Sequence, residues 1–186
     1  MPLLICFEKG HEMNSPVSQP EPWLRGTHAE VHAVQRAVLH ALELAKEDIQ
    51  RWCSELSDEE LNARPGEIAP VAFHLRHIAR SLDRLLSYAE GKQLSPEQLN
   101  VLRTESAPDA DRASVLAELE AALAAAAARV RAFVPSEIEK VRLVGKKQLP
   151  TTVGGLLVHV ADHTQRHVGQ AITTAKIVQW QQRSKA

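Results

Sequence analysis

The sequence predicts an all-α protein: a four-helix bundle with long inter-helix connections. Three observations predict it. Four long segments each carry a single apolar stripe that recurs at three- and four-residue intervals. No stretch alternates apolar and polar residues for long enough to build a sheet, and no repeating unit is visible. Helices with one apolar face bury that face only against one another, which leaves a bundle. A length of 186 residues suits one domain.

Residues 1–22 hold Pro2, Pro16, Pro20 and Pro22 with Gly10 and Asn14 between them, and read as an extended N-terminal arm. The apolar start Leu3–Phe7 is short for a signal segment and lacks a basic flank. The bundle is expected over 23–180. Thr27 with Glu30 forms a capping-box pattern that predicts the start of the first helix. Val31, Val34, Val38, Leu42, Ala45, Ile49, Trp52 and Leu56 form its stripe, and Ser57-Asp58 followed by Arg64-Pro65-Gly66 end it. The second helix runs from about Pro70 to Glu90, with Gly91 as the residue that stops it. Ser95-Pro96-Glu97-Gln98 opens a short helix to about Glu105. Asp111 starts the third long helix, which continues through an alanine run and stops at Pro135. Residues 136–150 form a charged connection with one extended piece, Val141–Val144. The fourth helix is capped by Thr151 or Thr152 and reaches about Trp180, leaving 181–186 as a polar tail. The connections 91–110 and 135–150 are long enough to cross the bundle, so the pattern does not dictate simple up-down connectivity.

Composition narrows the function classes. With 22 Lys+Arg against 23 Asp+Glu there is no basic footprint for nucleic acid, and no acidic tail for a disordered partner segment. The apolar run from Ala121 to Ala128 is far short of the ~20 residues of a membrane span. Cys6 and Cys53 are too few for a disulfide framework, so a cytoplasmic, reducing location is expected. Cys53 falls on the apolar side of the first helix and reads as core. The unusual feature is nine histidines.

The fourth helix carries His159, His163 and His167 at four-residue steps. Neighbours at that spacing lie one turn apart on one face, and two imidazoles so placed can close on one ion at ~2.1 Å. The outer pair is roughly 12 Å apart along the axis, too far to share an ion. One metal therefore takes at most two of the three, and a third ligand has to come from another helix. His163 and His167 lie nearer the apolar stripe than His159, which borders Asp162 and Arg166. Asp162 and Arg166 read as a solvated i,i+4 pair, and Gln170 lies on the side of His163. The second helix offers His74 near its apolar centre and His77 at the edge, beside Ser81 and Tyr88; periodicity slightly prefers His74. His28 and His32 lie at the extreme end of the first helix, and His40 points away from its stripe, so these three read as incidental. Histidines four apart are also common as unrelated surface residues, and the stretch His163-Thr164-Gln165-Arg166-His167 lacks the Glu of the zinc-protease signature. No nucleophile elbow, phosphate loop or dinucleotide fingerprint is present.

The segment His159 to Gln170, above all His163-x-x-x-His167-Val-Gly-Gln170, resembles the C-terminal motif of the DinB-like metalloprotein family, the damage-inducible four-helix bundles. Pro65-Gly66 followed by His77-Ile78-Ala79 resembles the same family's pattern, and the likeness spans about Thr27 to Trp180. The resemblance implies His77, His163 and His167 as ligands of a divalent metal, often zinc or nickel, and frequent homodimers. It selects His77 against the mild preference of periodicity and leaves His74 and His159 as extra histidines that line the site or compete for the ion. Members of the family with known activity include transferases and isomerases that use mycothiol, bacillithiol or glutathione.

Three neutral imidazoles leave open metal positions, as in catalytic rather than closed structural sites. The expected function is therefore transfer of a low-molecular-weight thiol to a small electrophile, with Gln170, Tyr88, Arg166, His74 and His159 as site-lining candidates. The alternatives are a hydrolase that uses metal-activated water, and a non-catalytic metal-binding module of a stress response.

Overall fold

The computed structural model describes residues 19–184. Residues 1–18 of the expected arm, and the last two of the tail, lie outside the described residues. Pro22–Leu24 form a short 3₁₀ turn that packs on the first helix, with Pro22 buried.

Four long helices make the body of the molecule: α1 (Ala33–Cys53), α3 (Val71–Ala89), α5 (Arg112–Ala132) and α6 (Val153–Arg183). Between them lie two short helices, α2 (Asp58–Asn62) and α4 (Pro96–Leu102), and one antiparallel hairpin, β1 (Val141–Val144) with β2 (Leu149–Thr152), paired Val141 to Thr152 and Val144 to Leu149. The fold is all-α with this small hairpin as its one extended element among the described residues. α6 packs against both α1 and α3, and α5 packs against α3 and more lightly against α1. Around the bundle the order is thus α1, α6, α3, α5. The consecutive long helices α1 and α3 sit on a diagonal, joined by the 54–70 connection that carries α2.

The core is one cluster of stripe residues: Val38, Leu42 and Ile49 of α1, Leu75, Ile78 and Leu82 of α3, Leu119, Leu123 and Val130 of α5, and Leu157, Val160 and Ala171 of α6. Cys53 is fully buried within it. Alanine on α5 lets its neighbours approach closely, with Ala126 buried on α3's side of the bundle.

Local chemistry sets most helix ends. Gly91, at φ 82°, closes α3: its N–H donates to the Tyr88 carbonyl and the Lys92 N–H to that of Ser87, satisfying two last-turn acceptors. The Ser95–Gln98 capping box starts α4, Asp111 caps α5 and Thr152 caps α6. The helix ends fall short of or run past several expectations. α4 stops at Leu102 rather than near Glu105, and α6 continues to Arg183, so the expected tail is in part its last turn.

Three expectations are corrected. α1 starts at Ala33 with the His32 side chain accepting from the Val34 N–H, not at Thr27, because His28 takes φ 57°, which no helix continues through. α1 ends at Cys53, four residues before the expected stop at Ser57-Asp58, and Ser57 instead caps α2 through a reciprocal box with Glu60. The second strand, Leu149–Thr152, also replaces what reads as loop, since Pro150 sits on an edge where no N–H is required.

Candidate metal centre

The site lies in the groove between α3 and α6. His77 projects from α3, and His163 and His167 project from successive turns of α6; all three are half-buried. Their ring centroids form a near-equilateral triangle, with separations of 4.9 Å (His77–His163), 4.4 Å (His77–His167) and 4.7 Å (His163–His167). One donor nitrogen of each lies within 4.8 Å of the others. Phe73, one turn before His77, stacks on its ring at 5.4 Å and 17°, and meets His167 edge-on.

The second nitrogen of each ring is engaged elsewhere, which fixes the tautomers of His77 and His163. Nδ1 of His77 donates to Oε2 of Glu105 at 2.6 Å. Nδ1 of His163 lies 3.4 Å from Ser81 Oγ, whose single proton goes to the Ile78 carbonyl, so the hydroxyl oxygen accepts from the ring. Nδ1 of His167 lies 3.1 Å from Nδ1 of His74. Each ring therefore has Nε2 left for the groove. Nε2 of His77 and Nε2 of His163 stand 3.2 Å apart. Two lone pairs face one another at that distance only with a proton or a cation between them. Two nitrogens held by one ion at ~2.1 Å in tetrahedral geometry are about 3.4 Å apart, so the donor set fits a divalent metal. Burial, and after it the electrostatic influence of the neighbouring His77, pushes both His163 and His167 down to about 4, which keeps them neutral and able to ligate at neutral pH.

Glu105 is the functional residue that the sequence pattern does not reveal. It is 4% exposed and lies in the connection after α4. That connection is pinned by Arg76 donating to the Ala107 carbonyl, Arg80 donating to Thr104, and Asn62 of α2 bonding both backbone groups of Ala110. Arg84 donates to the other Glu105 oxygen at 2.6 Å. Burial pushes this carboxyl up, but the His77 and Arg84 hydrogen bonds outweigh it and hold it below the ordinary carboxylate range.

The other site-lining candidates divide. His74 is buried behind His167, pushed down to about 4 by burial and then by His77. It also borders a cavity of about 520 Å³ that contains Arg166, Gln170, Thr173 and Thr174. His159 is exposed at the rim, its ring 5.5 Å from that of His163. Arg166 pairs with Asp162 at 2.7 Å, both in solvent. Tyr88 is not brought to the site: it lies eleven residues, about 16 Å, beyond His77 along α3.

A family model described as the DinB superfamily matches residues 41–171, a span that contains all three groove-facing histidines and Glu105. No curated protein matches the chain. The bundle, the groove between its second and fourth long helices and the match over most of the sequence agree, and the chain belongs to the DinB superfamily.

Proposed function

We propose that the protein is a metal-dependent transferase that joins a low-molecular-weight thiol to a small electrophile, with His77, His163 and His167 holding a divalent ion, zinc or nickel. The observation that carries this reading is the donor set. It contains three neutral imidazoles and no carboxylate, because the one buried acid nearby, Glu105, is spent on His77 Nδ1 and Arg84. The protein thus leaves the charge of the ion uncompensated, which favours an anionic ligand such as a thiolate over water. A divalent ion held there supplies the electrostatic field that lowers a thiol pKa toward neutrality.

The remaining work falls to this chain's own groups. Glu105 and Ser81 hold ring protons at Nδ1 of His77 and His163, so Nε2 stays deprotonated and aimed into the groove. Phe73 keeps water from one face of His77. Gln170, and Arg166 beside its Asp162 partner, border the cavity next to His74 and offer polar groups to the peptide or sugar portion of a cellular thiol. Cys53 takes no part, since burial and then the charge of Asp48 push its thiol up to about 12. Among the described residues no helix is long and apolar enough to cross a membrane. The reading takes a small-molecule substrate, a homodimer and a cytoplasmic location.

The test uses untagged protein with one zinc or nickel per chain, each of glutathione, bacillithiol and mycothiol, and 1-chloro-2,4-dinitrobenzene. The sulfur–carbon bond forms as the carbon–chlorine bond breaks, chloride leaves with the bonding pair, and the thiol proton goes to bulk water. Conjugation that disappears in His163→Ala supports the proposal. A fully loaded protein that conjugates none of the three thiols but hydrolyses aryl esters would replace it with the hydrolase reading.

A further inference from the structure

We infer that the protein carries a second divalent-metal site, formed by His28, His40 and Glu43, which clips the segment before α1 onto that helix. One ring nitrogen each from His28 and His40 and a Glu43 oxygen lie within 4.8 Å of one another. His40 and Glu43 stand three residues apart on α1, facing the same way, and His28 reaches them from the preceding loop. The two rings lie 5.4 Å apart, tilted by 38°. Nε2 of His28 is 2.6 Å from Oε1 of Glu43. Both imidazoles are well covered: His40 is 8% exposed and the His28 side chain 13%.

Three features separate this cluster from a chance meeting of polar side chains. His28 holds φ 57°, a conformation a non-glycine residue adopts at a cost, and that backbone is what turns its ring toward α1. Thr27 Oγ1 fixes the His40 ring at Nε2 from 3.0 Å. Beside it, Arg25 forks onto Glu47, with Nη2 to Oε2 at 2.7 Å, and aligns the loop with the helix. Two histidines and one carboxylate form a donor set that suits zinc and its neighbours and leaves a position for water. An ion at ~2.1 Å from each donor sets nitrogen and oxygen about 3.4 Å apart, so His28 and Glu43 separate by less than 1 Å on loading. The ring proton of His28 then moves to Nδ1. There Glu30, its Oε1 now 3.9 Å away, is placed to accept it, and the Arg131 guanidinium, which donates toward that nitrogen from 3.4 Å before loading, has to move aside. The match to the DinB superfamily begins at residue 41, so His28 and His40 precede the matched span and Glu43 lies just inside it.

Zinc titration of the untagged full chain tests the inference, with metal content read after equilibrium dialysis. The wild type is expected to hold two zinc ions per chain, and Glu43→Gln or His28→Gln one. His163→Ala/His167→Ala, which removes two donors of the groove, is expected to keep one ion, and adding Glu43→Gln is expected to remove it. Zinc is also expected to slow tryptic cleavage after Arg25 at least tenfold in the wild type and to leave the rate unchanged in Glu43→Gln. A wild type that saturates at one zinc, with Glu43→Gln unaltered, overturns the second site, whether or not the double alanine variant folds. A single zinc that survives His163→Ala/His167→Ala but not Glu43→Gln would instead sink the groove as a metal centre and leave this inference standing.

Discussion

Glu105 Oε2 accepts the Nδ1 proton of His77 across 2.6 Å, and this contact couples the connection after α4 to the ring that faces α6. The carboxylate fixes which nitrogen of His77 is bare and raises its basicity as a ligand. Glu105→Gln preserves an acceptor but loses the charge, and it leaves Arg84 without its ion-pair partner. Metal affinity in the groove is expected to fall by roughly 10–100-fold with stoichiometry retained at saturating metal. Competition against a chromophoric chelator reads this directly, and an unchanged Kd would remove Glu105 from the site.

His77 and His74 separate by the same measurement. His77→Ala deletes one of three groove-facing nitrogens from an open site, and tight binding is expected to disappear, a loss of several kcal/mol. His74→Ala removes only the partner of His167 Nδ1. It is expected to weaken binding modestly while keeping one ion in the groove. The opposite ranking would mean that the ion is held by His74.

Much of this was legible in the sequence because it is local. Each long helix announces itself by its stripe, and the turn at Gly91, the box at Ser95 and the caps Asp111 and Thr152 follow from side chains acting within four residues of themselves. The paired spacing of His163 and His167 is local too. The third imidazole is not local: periodicity favours His74 because it ranks distance from the core centre, and only the family resemblance selects His77, which as a groove residue belongs at the edge of the stripe, where α3 meets α6. Glu105, Arg84 and Ser81 were not legible as site residues, since a carboxylate in a 20-residue connection shows its burial only once Arg76, Arg80 and Asn62 have laid that connection across α3. The start of α1 departs from the sequence pattern for a related reason. Thr27 and Glu30 match a capping box, but Thr27 bonds His40, thirteen residues away, and His28 turns out of the helical region.

Acid is expected to destabilise the metal-free protein within a defined window. His74, His163 and His167 sit at about 4 in the fold, pushed down first by burial and then by the neighbouring His77, against an ordinary value of 6.5. Between these limits the unfolded chain binds more protons than the native one, so the contribution of these groups is intact above about 6.5 and is lost as pH falls toward 4. Glu47, Glu90 and Glu105, all held below 4.5, add their loss only at the acid end. Thermal melts in chelator at pH 7.5, 6 and 5 are expected to show a falling Tm, and His163→Gln is expected to flatten the slope. A Tm constant from pH 7 to 5 would show that the three rings are not held neutral by the fold. Loaded protein is expected to start its decline from a higher Tm and to release metal in the same window, because the ion and the protons compete for Nε2.

Stability away from the groove is expected to depend on Gln35. This α1 residue is 2% exposed, and its amide nitrogen donates to the carbonyls of Val130 at 2.8 Å and Phe133 at 2.9 Å. These belong to the last turn of α5 and its cap, where the only local donor is the Phe133 N–H, reaching the Val130 carbonyl at 3.4 Å, so Gln35 ties the end of α5 to α1, the adjacent long-helix pair that packs most lightly. Gln35→Leu keeps the volume but leaves both carbonyls buried without that donor, at a cost of about 1–3 kcal/mol. For a domain of this size that is a fall in Tm of roughly 2–10 °C. Metal stoichiometry is expected to stay unchanged, since Gln35 touches neither histidine cluster. Equal stability of Gln35→Leu and wild type in calorimetry would show that the end of α5 finds other donors, and that the contact between α1 and α5 rests on apolar packing alone.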